Sequence, residues 1–433
     1  MKFLAFAVLA LLAAPASAKL NAPERKMIET VDKEQDRSLA LLERLVNQNS
    51  GSLNLAGVET VGKMMRAELE PLGFDVRWVP MAEAGRAGHI VAVHKGSGRG
   101  RKMLLIGHLD TVFEPDSPFQ AFTRKSPTVA EGPGIGDNKG GMVVMIAALR
   151  AMQAAGTLKD ADIEIVLTGD EEDNGLPIEI ARRDLIEAGK RADVALDFEG
   201  LSQQDGRDMG AIARRSSGGW ELRTTGRTGH SSGIFSTGSG NGAIYEMTRI
   251  LAAFRSELPE PNLTFNVGLI AGGTTAALDA DKIRATATGK TNIIPETAIA
   301  RGDIRVLSPE QDARVRAKMQ EIVSRHLPGT SAEIRFDPDT YPPMAPTEGN
   351  KALLAKLNVV NRDMGLPVME AIDPLRRGAG DIGFVAADVD GLVGLGAAGE
   401  RSHAPGETID IPSIARQAKR AAILMSRLTK ERQ

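Results

Sequence analysis

The strongest constraint on the fold of this chain is an alternation of short apolar runs with longer helical patterns. Phe74–Val79, His89–His94 and Met103–Gly107 read as strands, Gly140–Ala155 as a helix rich in Met, Val, Ala and Leu, and Ile163–Thr168 and Val194–Phe198 as further strands. Runs this short and apolar, bounded by turn residues, are strands buried in a sheet, and the helices between them cover its faces. The pattern predicts an α/β fold, a mixed sheet flanked by helices. Upstream, Leu39, Leu42, Leu45 and Val46 make one helical stripe, and Val58, Val61, Met65 and Leu69 make another.

The texture changes near Gly210. Strands are expected at Gly219–Thr225, Leu263–Ile270, Ala298–Val306 and Ala332–Phe336, with helices at Gly242–Arg255 and Pro309–His326. This is an α+β block long enough to form a domain of its own. Its exit is Tyr341-Pro342-Pro343-Met344-Ala345-Pro346, where proline forbids continuous helix. The α/β pattern then resumes with a helix at Lys351–Met364, a strand at Val389–Leu395 and a helix at Ile411–Leu428. The expected division is a leader at 1–18, a first part of the α/β domain at 19–210, an inserted domain at 211–341 and a second part at 342–433. The leader has a basic start (Met1-Lys2), an apolar run (Phe3–Ala14) and small residues at Ala16-Ser17-Ala18. It reads as a signal peptide cleaved after Ala18, which implies an exported, periplasmic protein with no stable membrane association afterwards; a retained anchor is the alternative.

Composition limits the chemistry. The 433 residues include no cysteine, so disulfides, thiolate metal sites and cysteine nucleophiles are excluded. With 53 basic and 56 acidic residues the formal charge is −3, which argues against a nucleic-acid partner. A metal site in this chain must therefore use His, Asp and Glu. Of the six histidines, His89, His94 and His326 lie on strand or helix patterns without acidic company and read as structural.

Several polar strings remain. Gly107-His108-Leu109-Asp110-Thr111 follows an apolar strand, so His108 and Asp110 point to one side and suit a metal ligand with its orienting carboxylate, although alone the string is weak and a solvated turn accounts for most such matches. In Gly132-Pro133-Gly134-Ile135-Gly136-Asp137-Asn138-Lys139-Gly140-Gly141, Asp137 is either a helix N-cap or a carboxylate in closely packed backbone. Thr168-Gly169-Asp170-Glu171-Glu172-Asp173 and Asp197-Phe198-Glu199 end strands, where ligands of open α/β sheets gather; the first is either a solvated acidic turn or a cluster that a dication would stabilise. Glu400-Arg401-Ser402-His403-Ala404-Pro405-Gly406-Glu407 is a polar loop before the last helix.

Together, GHLDTV at 107–112, GPGIGDNKGG at 132–141, TGDEED at 168–173, DFEG at 197–200 and SHAPGE at 402–407 resemble the co-catalytic dizinc exopeptidases. That family includes glutamate carboxypeptidase, acetylornithine deacetylase, succinyl-diaminopimelate desuccinylase and aminoacylase. GHSS at 229–232 and NIIPETAIARGDIR at 292–305 match as well, and the likeness runs from about Arg37 to the C-terminus, nearest to the exported glutamate carboxypeptidases (carboxypeptidase G type). The resemblance implies a catalytic domain with an inserted dimerisation (lid) domain. It also implies two Zn2+ per subunit, with Co2+ or Mn2+ as possible substitutes. Asp137 would bridge them, His108 and Glu199 completing one site and Glu172 and His403 the other. Asp110 would orient His108, Glu171 would be the general base, and a cis peptide is expected at Asp137-Asn138. His230 would reach the oxyanion from the neighbouring subunit of a homodimer, and Asn292 and Arg305 would bind a substrate carboxylate. The loop Gly378-Ala379-Gly380-Asp381-Ile382-Gly383 only partly matches the family's glycine-serine-aspartate-glycine-asparagine loop, with Gly380 its expected substrate-binding position. The implied activity is release of a C-terminal amino acid, glutamate foremost, from small peptides or N-acyl amino acids. N-acyl-amino-acid deacylation is the alternative, and a non-catalytic exported solute-binding protein a more distant one.

Overall fold

Lys102–His108 lies at the heart of a six-stranded sheet because it is apolar on both faces, as a strand covered on both sides must be. The computed structural model describes residues 20–97 and 99–431, and the leader expected at 1–18 lies outside them. Across the sheet the strands run Asp75–Pro80, Gly88–His94, Asp162–Thr168, Lys102–His108, Val194–Asp197 and Gly391–Val393. Lys102–His108 pairs in parallel with Asp162–Thr168 and Val194–Asp197, and Gly391–Val393 extends that parallel set. Asp75–Pro80 and Gly88–His94 form an antiparallel edge. The mixed α/β sheet expected from the alternation is present.

Alternate residues of the central strand feed two cores. Met103 and Leu105 join the larger one, with Leu42, Val58, Met145, Leu357 and Ile423 from the helices Gln35–Val46, Leu55–Leu69, Gly141–Ala154, Glu348–Asp363 and Ile411–Leu428. Leu104 and Ile106 face the opposite way, onto Leu185 and Ala188 of the helix Arg183–Arg191 and onto Ile382 and Val385. Gly141–Ala154 is buried nearly all round, which explains its lack of a polar face.

Residues 218–336 have their own sheet and core. Gly218–Gly226 pairs antiparallel with Thr297–Arg305 and Thr330–Phe336, and Trp220, Leu222, Met247, Phe254, Met319 and Ile322 pack between this sheet and the helices Ala243–Glu257 and Pro309–Ser324. The strand expected at Leu263–Ile270 is two pieces, Thr264–Phe265 and Leu269–Gly273, both paired with Thr297–Arg305. The register slips by one residue between Phe265↔Ile304 and Leu269↔Arg301, which is a β-bulge. Gly302 sits opposite it, where a Cβ would come within 1.8 Å of the Asn266 carbonyl oxygen.

A small sheet joins distant parts of the chain. Thr408–Asp410 pairs antiparallel with Val129–Glu131 and with Gly399–Glu400, and so sets the 402–407 loop beside the glycine-rich 132–141 loop. Among the described residues no helix is long and apolar enough to cross a membrane.

Candidate functional site

The parallel strands end together, and the candidate residues sit at those ends. His108 is the last residue of its strand, Thr168 of the next, and Asp197 of the third. Leu109 N donates to Thr168 O at 2.7 Å and Phe198 N to Ile106 O at 2.9 Å, so the three loops leave the sheet side by side.

Asp110 organises the first layer. It is fully buried, and its carboxylate accepts from Glu171 N and Glu172 N, each at 3.0 Å, and from Ser52 Oγ at 2.6 Å. Its Oδ1 also lies 3.3 Å from His108 Nδ1. One side chain therefore fixes the histidine ring and the backbone of the Glu171-Glu172 turn. With His108 Nδ1 so engaged, Nε2 is directed toward Asp137 Oδ1, 3.1 Å away.

Asp137 stands between two histidines, with Oδ1 on His108 and Oδ2 3.2 Å from His403 Nε2. Burial raises its pKa, but the hydrogen bonds from His108 and His403 outweigh that and hold the carboxyl well below the usual range. The 132–141 loop sets this position. Glu407 gathers its amides, accepting from Gly134 N at 3.1 Å, Gly136 N at 2.8 Å and Asp137 N at 3.0 Å. Gly134 has φ +64, and at Gly141 a Cβ would lie 1.9 Å from the Phe198 carbonyl oxygen, so the glycines let the loop pack against the neighbouring strand end. The Asp137–Asn138 peptide is cis.

Glu172 Oε2 lies 3.0 Å from His403 Nε2, and its Oε1 is buried with no hydrogen-bond partner among the described residues. Burial, assisted by the Asp137 charge, pushes its pKa up to about 7 against the bond from His403. Glu171 is pushed well above the ordinary range, first by burial; the Glu199, Asp381 and Glu172 carboxylates add to this and His108 opposes it. His403 rises to about 11 through its bonds to Asp137 and Glu172. Such a set carries excess negative charge and an orphaned oxygen, and both are relieved by divalent cations. The donor atoms fit. Those of His108, Glu171 and Glu172, and those of Asp137, Glu172 and His403, fall within 4.8 Å of one another in each trio. Imidazole nitrogens with carboxylate oxygens suit zinc and neighbouring transition ions.

Glu199 lines the same cleft of about 680 Å³ as Asp137, Glu171, Glu172 and His403, its Oε2 held by Arg377 at 3.2 Å and by Arg214. Arg305 also lines it. Gly380 lies beneath Glu199, and a Cβ there would come within 2.6 Å of Glu199 Oε1. His230 and Asn292 adjoin each other through Ser231 N→Asn292 O at 2.9 Å; both are exposed, and neither lines the cleft of its own chain. His89 bonds Ala181 O and Gly169 N, His94 bonds Ala161 O, and His326 pairs with Glu246, all structural contacts.

Several residues escaped the sequence reading. Glu407 closes the SHAPGE string, and a glycine-rich loop with free amides is the signal that could have found its role. Behind Glu171, fully buried Arg182 donates to Asp170 Oδ1 at 2.6 Å, Asp381 Oδ1 at 2.8 Å and Tyr341 Oη at 2.6 Å. Tyr341 Oη in turn donates to Glu171 O at 2.7 Å.

A model of the peptidase family M20/M25/M40 matches residues 104–427. Carboxypeptidase G2 of Pseudomonas sp. (strain RS-16) is 26% identical over 97% of this chain and 96% of its own length. A succinyl-diaminopimelate desuccinylase of Novosphingobium aromaticivorans is 29% identical over 60% of this chain and 67% of its own. Among solved structures, a dinuclear metal-binding peptidase of the M20 family from Bacillus subtilis superposes with a TM-score of 0.63 at 17% identity, covering 92% of this chain and 99% of that one.

Proposed function

Because this chain belongs to peptidase family M20/M25/M40, a family of metallopeptidases, we propose that it hydrolyses an amide bond to release a C-terminal amino acid, glutamate foremost, from small peptides or N-acyl amino acids. The observation that carries this reading is Asp137 held between His108 and His403, with the unpartnered Glu172 Oε1 beside it. His108, Asp137, Glu172, Glu199 and His403 would hold two Zn2+ per subunit, with Co2+ or Mn2+ as substitutes. When bound, the ions polarise the scissile carbonyl and make a water acidic near neutral pH. Glu171 takes the proton from the attacking water on its carboxylate and delivers it to the leaving amine, a role suited to a carboxyl whose proton affinity burial raises. Asp110 keeps the proton of His108 on Nδ1 and so leaves Nε2 free as a ligand.

Arg305 and Asn292 bind the substrate α-carboxylate, Arg305 through its planar fork, and Gly380 keeps the floor of the cleft open. His230 stabilises the oxyanion from the neighbouring subunit of a homodimer. Arg305 lines the cleft while His230 and Asn292, adjoining each other, stand outside it, which supports Arg305 acting in its own chain and Asn292 arriving with His230 from the neighbouring subunit. The leader at 1–18 supports export to the periplasm.

A panel of amides decides the reading. Zinc-loaded protein is expected to hydrolyse dipeptides and folate-type amides ending in glutamate, to lose turnover with chelator and to regain it with added zinc. Faster turnover of N-acetyl amino acids would favour the N-acyl-amino-acid deacylase, a reading supported by the relationship to desuccinylases. Zinc-loaded protein without turnover on any amide would sink the hydrolase assignment.

A further inference from the structure

The acidic half of the cleft faces a basic half that the reaction above leaves without a task. Arg214 and Arg377 line the cleft beside Glu199. Arg214 is tied to the loop by two hydrogen bonds, from Nε to Gly378 O at 2.8 Å and from Nη2 to Ala379 O, while its Nη1 is ion-paired with Glu199 without a hydrogen bond. Arg377 is not so committed. Its side chain is only 17% exposed and its Nη2 reaches Glu199 Oε2 at 3.2 Å, while its buried Nε has no acceptor among the described residues. A buried guanidinium with an open donor is costly unless an anion completes it. Two dications held by Asp137, Glu172 and Glu199 would offset those three carboxylates, and Glu199 could then no longer balance two arginines. Arg305 approaches the same loop, with Nη1 3.9 Å from where a Cβ of Gly378 would stand.

We propose that Arg377 is a specificity-determining residue that receives a second carboxylate of the substrate, beyond the α-carboxylate given to Asn292 and Arg305. The chain then selects amides bearing two carboxylates. This rests on the amide-hydrolase reading of the site. The second carboxylate comes from the side chain of the released amino acid or from the acyl group, and a guanidinium edge accepts either.

The test compares zinc-loaded wild type with Arg377→Gln and Arg377→Lys. Titration calorimetry measures binding of free glutamate and glutamine. Kinetics compares N-succinylalanine with N-butanoylalanine, which lacks the terminal carboxylate. With a side-chain source, wild type prefers glutamate to glutamine, and Arg377→Gln weakens glutamate by about 10- to 100-fold while glutamine changes little. With an acyl source, the same loss falls on kcat/KM for N-succinylalanine and spares N-butanoylalanine. Arg377→Lys falls between, since it keeps the charge without the fork. Zinc content is measured in every variant. Equal losses on acidic and neutral ligands, with or without loss of zinc, would assign Arg377 to Glu199 alone and overturn the proposal, as would no loss at all. A wild type that turns over no amide yet still separates glutamate from glutamine through Arg377 would sink the hydrolase reading and leave only the carboxylate-binding role of Arg377.

Discussion

Glu171 and Glu172 are adjacent in sequence, yet Asp110 holds them in different surroundings. By accepting from both amides it fixes a turn in which the Glu172 carboxylate meets His403 while the Glu171 carboxylate lines the cleft beside it. Glu171→Gln keeps the volume and removes the proton acceptor. The expected result is a fall in kcat of about 10²–10⁴-fold, with zinc content by atomic absorption unchanged. Undiminished turnover would remove Glu171 from the general-base role. At this scale the sequence was informative wherever chemistry is contiguous: His108 with Asp110, Glu171 with Glu172, and Asp137 amid its glycines are short strings. It said little where one residue acts across the chain. Glu407 holds the Gly134–Asp137 amides from 270 residues away, and no spacing rule reaches that far.

At the scale of elements, the turn carrying Glu171 rests on a buried ionic cluster. Arg182, from the short segment between helices, joins Asp170 on the turn to Asp381 on the 378–383 loop, and Tyr341 ties the exit of the 218–336 block to the carbonyl of Glu171. Arg182→Met would strand two buried carboxylates, so a loss of about 3–5 kcal/mol is expected in urea denaturation. Tyr341→Phe removes only the hydroxyl and should cost about 1–3 kcal/mol. Equal, small effects would mean that the cluster is solvated. The central strands were legible because burial on both faces leaves an unbroken apolar run. The bulge within 264–273 was not, since both pieces are apolar and the slip shows only against Thr297–Arg305. The helix Ala22–Lys33 also escaped, because its buried stripe of Glu24, Met27, Thr30 and Val31 is half polar, although Asn21 and Glu24 form a capping box at its start.

At the scale of the whole molecule, His230 stands apart from the cleft of its own chain. It sits on the 218–336 block with Ser232 Oγ 2.7 Å from Nδ1. That block also carries apolar side chains in water: Phe235 and Tyr245, whose rings lie 5.4 Å apart, and Ile244 and Ile270. Ile270 lies on Leu269–Gly273, a strand at the margin of its sheet, and a Cβ at Gly272 would come within 2.9 Å of Ile244, so helix and strand present one continuous apolar margin. Exposed apolar surface beside a strand at the edge of its sheet is what a second copy of the chain could cover. If the chain pairs two-fold through this margin and His230 works across the pair, each cleft depends on the other copy for its histidine. The consequence is measurable without a structure of the complex. Glu171→Ala and His230→Ala are each expected to be inactive as homodimers. Mixed by unfolding and refolding together, half of the dimers combine one of each, and every such dimer has one cleft with both residues intact. About a quarter of wild-type activity should return. If His230 served its own chain, no mixture would recover anything, because every cleft would lack one of the two groups.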